Sequence, residues 1–315
     1  MSGTLRPAVF GVCPVLETPF TEDEEVDYAS FGRLIDHLVS VGVPSVMYPG
    51  FSSEYYKLSD SERTSLTTFL IDRVKGVQGF TTVISVPDHA THLAVRRAVE
   101  AVTAGASVIN VLPPHQLAPS GGAICDHVRA VASAIAPVPV ILQYAPALTG
   151  TSLDAAVIAR IARDLPNLVQ VKVESVPPGA FITALAAQSP ALDSVVGYAG
   201  VQLIDAIRRG AVGVQPGSSF VEIYLDIWSA WQGGREKEAI DLHRRLLPYI
   251  SYWMQSVELI IAAEKRISRL RGLIDTERCR APERRLDSEE EAMIDRFLSE
   301  FEQQLLPIDK LEIRP

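Results

Sequence analysis

From Val9 onward, short apolar and β-branched runs alternate with longer stretches whose apolar positions recur every three or four residues. The short runs have the pattern of buried strands, the long ones that of amphipathic helices. Strands are predicted at 9–16, 45–48, 81–86, 107–112, 138–144, 169–173, 194–197 and 212–215. Helices are predicted between and after them at 28–41, 60–75, 92–103, 123–135, 153–163, 180–187, 202–208 and 220–231. Ser59 with Glu62 three residues on reads as a capping box, and Ser152 as another N-cap. Gly105, Gly210 and Gly233 fall where helices should stop.

Eight strand-then-helix units predict parallel strands, because each crossover returns the chain in the same direction. Their span of roughly 225 residues suits a closed (β/α)8 barrel better than an open sheet. No Gly-x-Gly-x-x-Gly turn follows the first strand, which argues against a doubly wound nucleotide fold. After Gly233-Gly234 three long helical patterns, 236–249, 256–270 and 288–305, run without intervening strands, the last opened by Ser288 and Glu291 as a capping box. The expectation is an α/β protein: a (β/α)8 TIM barrel over 1–233 with a C-terminal helical extension over 234–315. The charge clusters Arg266-Arg269-Arg271 and Glu289-Glu290-Glu291 read as solvated faces or contacts with another subunit.

Composition narrows the class. Of 315 residues, 47% are hydrophobic and 21% charged, enough for a sizeable core. A net charge of −9 argues against nucleic acid or an anionic membrane surface as partner. Three cysteines, Cys13, Cys125 and Cys279, have no paired spacing, which fits a reducing compartment and gives no metal signature. Met1 to Pro7 carries no apolar stretch of a signal peptide, and no uncharged run reaches the length of a membrane span. A cytoplasmic protein is expected.

One lysine stands out. The chain has six, and of these Lys172 alone lies inside an apolar strand-like run, Leu168-Val-Gln-Val-Lys-Val-Glu174. Burial disfavours the ammonium and lowers its pKa, and a neutral amine can attack a carbonyl to form a Schiff base. Alternation puts Glu174 on the same face. The competing reading is a lysine that snorkels outward or pairs with Glu174 for structure. The predicted strand ends otherwise gather hydroxyls, amides and few charges: Thr18, Ser52, Ser53, Glu54, His89, His115, Gln143, Tyr144, Gly197 and Gln215. Such a lining suits a small carboxylate-bearing carbonyl compound and no metal.

The order of motifs resembles the dihydrodipicolinate synthase/N-acetylneuraminate lyase family of class I aldolases. Gly11-Val-Cys-Pro-Val-Leu-Glu-Thr-Pro-Phe20 lies at the first strand, and Gly50-Phe-Ser-Ser-Glu54 stands where the family has Gly-Thr-Thr-Gly-Glu. Leu58-Ser-Asp-Ser-Glu-Arg63, Gly105-Ala106, Pro146-Ala-Leu-Thr-Gly150, Val171-Lys172 and Arg209-Gly-Ala-Val-Gly213 follow in the family's order, over about residues 9 to 275. The resemblance implies a barrel with a helical tail, a homo-oligomer (tetramer or dimer), no cofactor, and a pyruvate-like 2-oxo acid held as an imine on Lys172. It also exposes departures. The carboxylate-binding threonine pair falls on Phe51-Ser52, with Ser53 replacing a glycine. The phenolic proton shuttle aligns with Gln143, a neighbouring subunit's tyrosine with His115, and the synthases' arginine with Leu148. A relay of threonine and tyrosines cannot run through Phe51 and Gln143, so Glu174 or His115 is the expected acid and base beside Lys172, and Gln143 is a further expected catalytic residue. Ser52, Ser53, Tyr144, Gly197 and Gln215 are the expected substrate contacts. The expected activities are an aldolase or lyase of 2-oxo acids, a dehydratase of 2-keto-3-deoxy sugar acids, or a silent 2-oxo-acid-binding protein.

Overall fold

The computed structural model describes residues 8–188 and 191–305; the expectation about a leader in residues 1–7 lies outside them. The strands are β1 Gly11–Val12, β2 Ser45–Tyr48, β3 Thr81–Val86, β4 Val108–Val111, β5 Val140–Tyr144, β6 Leu168–Val173, β7 Asp193–Val196 and β8 Gly213–Val214. They form one eight-stranded sheet in the order β1-β8-β7-β6-β5-β4-β3-β2, a nearly closed parallel barrel of the (β/α)8 class. Between strands lie α1 Tyr28–Ser40, α2 Asp60–Arg73, α3 Thr91–Ala104, α4 Gly121–Ala134, α5 Pro146–Thr149, α6 Ala155–Asp164, α7 Gly179–Ala186 and α8 Leu203–Arg208. After β8 come α9 Val221–Gln232, α10 Glu236–Trp253, α11 Val257–Leu270 and α12 Ser288–Glu300. No helix among the described residues is long and apolar enough to cross a membrane.

The chain divides into two compact units. The first takes in Thr81–Gln215 and the segment through Gly11. Its strands are Val- and Ile-rich because both faces are covered. The pairing of β3 with β4 sets Ser85 opposite Asn110, and that of β5 with β6 sets Gln143 opposite Lys172 after a register shift at Val140/Ile141. Two buried side chains fasten β6. Asn167 donates to the carbonyls of Ala132 and Val138, both at 2.9 Å, fixing the turn that feeds the strand. Gln170 accepts from the Val9 N–H at 3.0 Å and donates to the Val9 carbonyl at 2.8 Å, so its amide stands in for a strand neighbour.

The second unit is Val12–Phe80 with Pro216–Pro315. Here Val15 makes parallel bridges to Met47 and Gly217. The strand predicted over 9–16 is regular only at Gly11–Val12, because Pro14 has no N–H to donate and Gly11 takes a φ of 80°. Phe220, Tyr249, Trp253, Phe297 and Phe301 pack the C-terminal helices through tilted and edge-on ring contacts.

Caps follow the sequence with small shifts. Ser59 and Glu62 form the expected box. α6 is preceded by Asp154 rather than Ser152, with Leu153 buried in the approach. The box on α12 is Asp287 with Glu290, one residue ahead of the expected Ser288 and Glu291. Two members of the charge clusters are internal rather than solvated: Arg271 pairs with buried Glu222, and Glu290 is itself buried.

Candidate active site

β6 presents Gln170 and Lys172 on one face and Val171 and Val173, both fully buried, on the other, and Glu174 follows directly after its last residue. Lys172 is 4% exposed, and its Nζ lies 3.2 Å from Glu174 Oε1. The amine is thus buried and paired: the catalytic and the structural readings of the strand describe one arrangement. Glu174 Oε2 accepts from Gln143 Nε2 at 2.7 Å. Gln143 Oε1 in turn accepts from Asn110 Nδ2 at 2.9 Å, and the same Nδ2 donates to Ser85 Oγ at 2.9 Å. Four consecutive strands, β3 to β6, therefore carry one chain of buried polar groups ending on Lys172. Inside a covered sheet such groups persist only when hydrogen-bonded.

Gly197, just after β7, donates its N–H to the Val173 carbonyl. A Cβ there would lie 2.4 Å from Glu174 Cγ and Oε1, so only glycine leaves the carboxylate its place. Tyr198 and Ala199 follow with φ of 54° and 47°. Burial and the nearby Glu174 raise the Tyr198 phenol.

The other expected residues are distributed as follows. Tyr144, on the opposite face of β5 from Gln143, stacks on Phe181 of α7 with ring centres 4.0 Å apart and planes 8° from parallel. Burial, then Asp154, raises its phenol. His115, half-buried on the loop after β4, has Nδ1 3.2 Å from the Pro113 carbonyl and packs edge-on against His89. Among the described residues, no contact joins it to the Lys172–Glu174 pair. Gln215 is buried beyond β8 and donates its backbone N–H to the Val196 carbonyl.

In the second unit, Phe51–Ser53 forms a 3-10 turn after β2. The Ser53 hydroxyl donates to the Leu16 carbonyl and accepts from the Gly50 N–H at 2.8 Å, so it braces the turn, whereas Ser52 stays half-exposed. Glu54 ends the turn in a left-handed conformation and pairs with Lys57 at 3.0 Å and with Lys265. Among the described residues, no group of three or more His, Cys, Asp or Glu is placed to hold a metal ion.

Sequence reasoning missed Asn110 and gave Ser85 no role. Asn110 is the single amide in Val108–Val111, the same kind of polar interruption that marked Lys172, but without a charge to draw notice.

Fold and site together define a class: parallel (β/α)8 proteins with a buried amine on the sixth strand. Within it the chain belongs to the dihydrodipicolinate synthetase family, whose model matches residues 8–301. The L-2-keto-3-deoxyarabonate dehydratase of Azospirillum brasilense is 28% identical over 289 residues, covering 90% of this chain and 91% of that protein. The 4-hydroxy-tetrahydrodipicolinate synthase of Symbiobacterium thermophilum is 30% identical over 233 residues, covering 73% and 78% respectively. The crystal structure of dihydrodipicolinate synthase from Rhodopseudomonas palustris superposes with a TM-score of 0.86 at 27% identity, over 95% of this chain and 99% of that one.

Proposed function

We propose that this protein is an imine-forming lyase of 2-oxo acids, with Lys172 as the nucleophile and Glu174 as its acid–base partner. One observation carries the reading: a buried Lys172 Nζ lies 3.2 Å from a carboxylate whose second oxygen is held by Gln143. Lys172 first gives a proton to Glu174, and the freed amine adds to the C2 carbonyl of the substrate. The carbonyl oxygen takes up a proton and departs as water, leaving a protonated imine. The imine withdraws electrons from C3. Loss of a C3 proton, with Glu174 within reach as base, gives an enamine. From it a hydroxyl on C4 takes up that proton and departs as water; in an aldol substrate the C4 hydroxyl instead loses its proton while the protonated imine takes the C3–C4 bonding pair, giving an aldehyde and the enamine directly.

Of these outcomes, loss of water from a 2-keto-3-deoxy sugar acid has the stronger support. The dehydratase relative aligns over nine-tenths of both chains, and a carboxylate beside the amine, with Gln143 in the phenol's place, suits proton transfer at C3. A homo-oligomer is also proposed, as the family resemblance implies. Three buried cysteines, none of them in a disulfide, agree with a cytoplasmic setting.

The test is reductive trapping. Borohydride added with pyruvate or a 2-keto-3-deoxy acid should leave a stable adduct on the Lys172 peptide, and Lys172→Ala should lose the adduct and about 10⁴-fold or more of turnover. An unmodified Lys172 across several 2-oxo acids would overturn the reading. Release of pyruvate from a 2-keto-3-deoxy acid would mark an aldolase rather than a dehydratase. Equal thermal stabilisation by pyruvate in wild type and Lys172→Ala would favour a silent binding protein.

A further inference from the structure

The chain of amides behind Glu174 has a direction. An ionised carboxylate can only accept, so Gln143 must turn its NH2 toward Glu174 and its oxygen toward Asn110. Asn110 must then answer with its own NH2. Each observed link has this polarity: Gln143 Nε2 to Glu174 Oε2 at 2.7 Å, Asn110 Nδ2 to Gln143 Oε1 at 2.9 Å, and Asn110 Nδ2 to Ser85 Oγ at 2.9 Å. Asn110 is fully buried, Gln143 is 2% exposed and Ser85 6%, so bulk water does not compensate a reversed amide. Asn110 Oδ1 has no hydrogen-bond partner. Turning this amide over would not help, because it would set Oδ1 against Gln143 Oε1. The orphaned oxygen therefore marks an orientation imposed by the rest of the chain.

We propose that Asn110, steadied by Ser85, is a positioning residue that sets the polarity of Gln143 and so holds Glu174 aimed at Lys172. This rests on the imine reading of the same site, and it adds two residues from β3 and β4 that never touch the amine. The groups facing Glu174 are Lys172 on its own strand, Gln143 on β5, and Gly197 and Tyr198 beyond β7.

Asn110→Asp keeps the shape of the side chain and removes its donor. Gln143 then turns its NH2 toward the new carboxylate, its oxygen meets Glu174, and Glu174 holds a proton to higher pH. The readout is the titration of Glu174 by carbon-13 NMR in protein labelled at the glutamate side-chain carboxyl, its signal assigned by its loss in Glu174→Gln. The midpoint should rise by about one pH unit in Asn110→Asp, a tenfold change in proton affinity. It should rise less in Asn110→Leu, which removes the donor without adding an acceptor, and least in Ser85→Ala. The acid limb of the pyruvate trapping rate should move with it. Midpoints unchanged in all three variants would overturn the proposal, and the two milder ones serve should Asn110→Asp fail to fold. If the midpoints move as expected but pyruvate never traps on Lys172, the catalytic reading fails while the positioning role stands.

Discussion

Each compact unit buries a lysine, and the two are held in contrasting ways. Lys265, on α11, is fully enclosed. It donates to Glu54 and, at 2.9 Å, to the Arg278 carbonyl, and it lies 4.3 Å from the centre of the Phe20 ring. Glu54 is itself held by Lys57 and the Arg280 N–H. Two acceptors and a π-face fix this side chain in one place. Lys172 has, among the described residues, one charged partner at 3.2 Å, on the same strand. Under the proposed function the lightly committed amine is the one with room to turn to a carbonyl. Burial alone therefore does not tell the two lysines apart, and the number of their acceptors does.

The sharpest way to break this contrast is to remove the saturated lysine. Lys265→Met should cost about 3–5 kcal/mol in urea unfolding, because Glu54 stays buried without its main counter-ion. The folded fraction should still trap pyruvate on Lys172. Trapping lost in step with Lys265 would mean the two amines serve one purpose.

A pair of glycines extends the comparison. Gly197 leaves room for Glu174, and Gly217 does the same for Glu264, where a Cβ would lie 2.0 Å from Oε1. Gly197→Ala should slow trapping about a hundredfold by shifting the base on the order of 1 Å. Gly217→Ala should lower the melting temperature and spare the trapping rate of the folded protein. The opposite pattern would reverse the roles assigned to the two carboxylates.

The smallest effect expected is on pH. Burial, the largest influence on both, pushes Glu17 up to about 7 and Glu264 up to about 8. Carboxyls that hold their protons more tightly when folded add stability at low pH, and this fades as pH rises through the folded values. Burial pushes His127 down to about 4, which works in the opposite sense: its contribution is present above 6.5 and is lost as pH falls toward 4. Between 6.5 and about 8 the carboxyls dominate, and stability should fall by on the order of 1–3 kcal/mol. Glu17→Gln should flatten that slope; a slope unchanged in the variant would show that Glu17 does not titrate there.

Local rules reach much of this molecule. Period-two alternation puts Lys172 beside Glu174, and the strands at 45–48 and 81–86 end where the sequence predicts. Lateral relations lie beyond such rules. The register shift at Val140/Ile141 decides that Gln143 opposes Lys172, and no spacing along the chain reveals it. Asn110 meets Gln143 across 33 positions, and Lys265 meets Glu54 across 211, so each partner is invisible in the other's window. α5 escaped notice because four residues are too few to establish a period, although Pro146 at its start is a recognisable opening.

The clasp between Gln170 and Val9 ties the lysine's strand to the chain that precedes β1. Were that leading segment peeled away, a primary amide would be stranded two residues from Lys172 with neither its donor nor its acceptor satisfied. The strand that carries Lys172 thus has a distant tether, so a change at Val9 can register at the amine without coming near it.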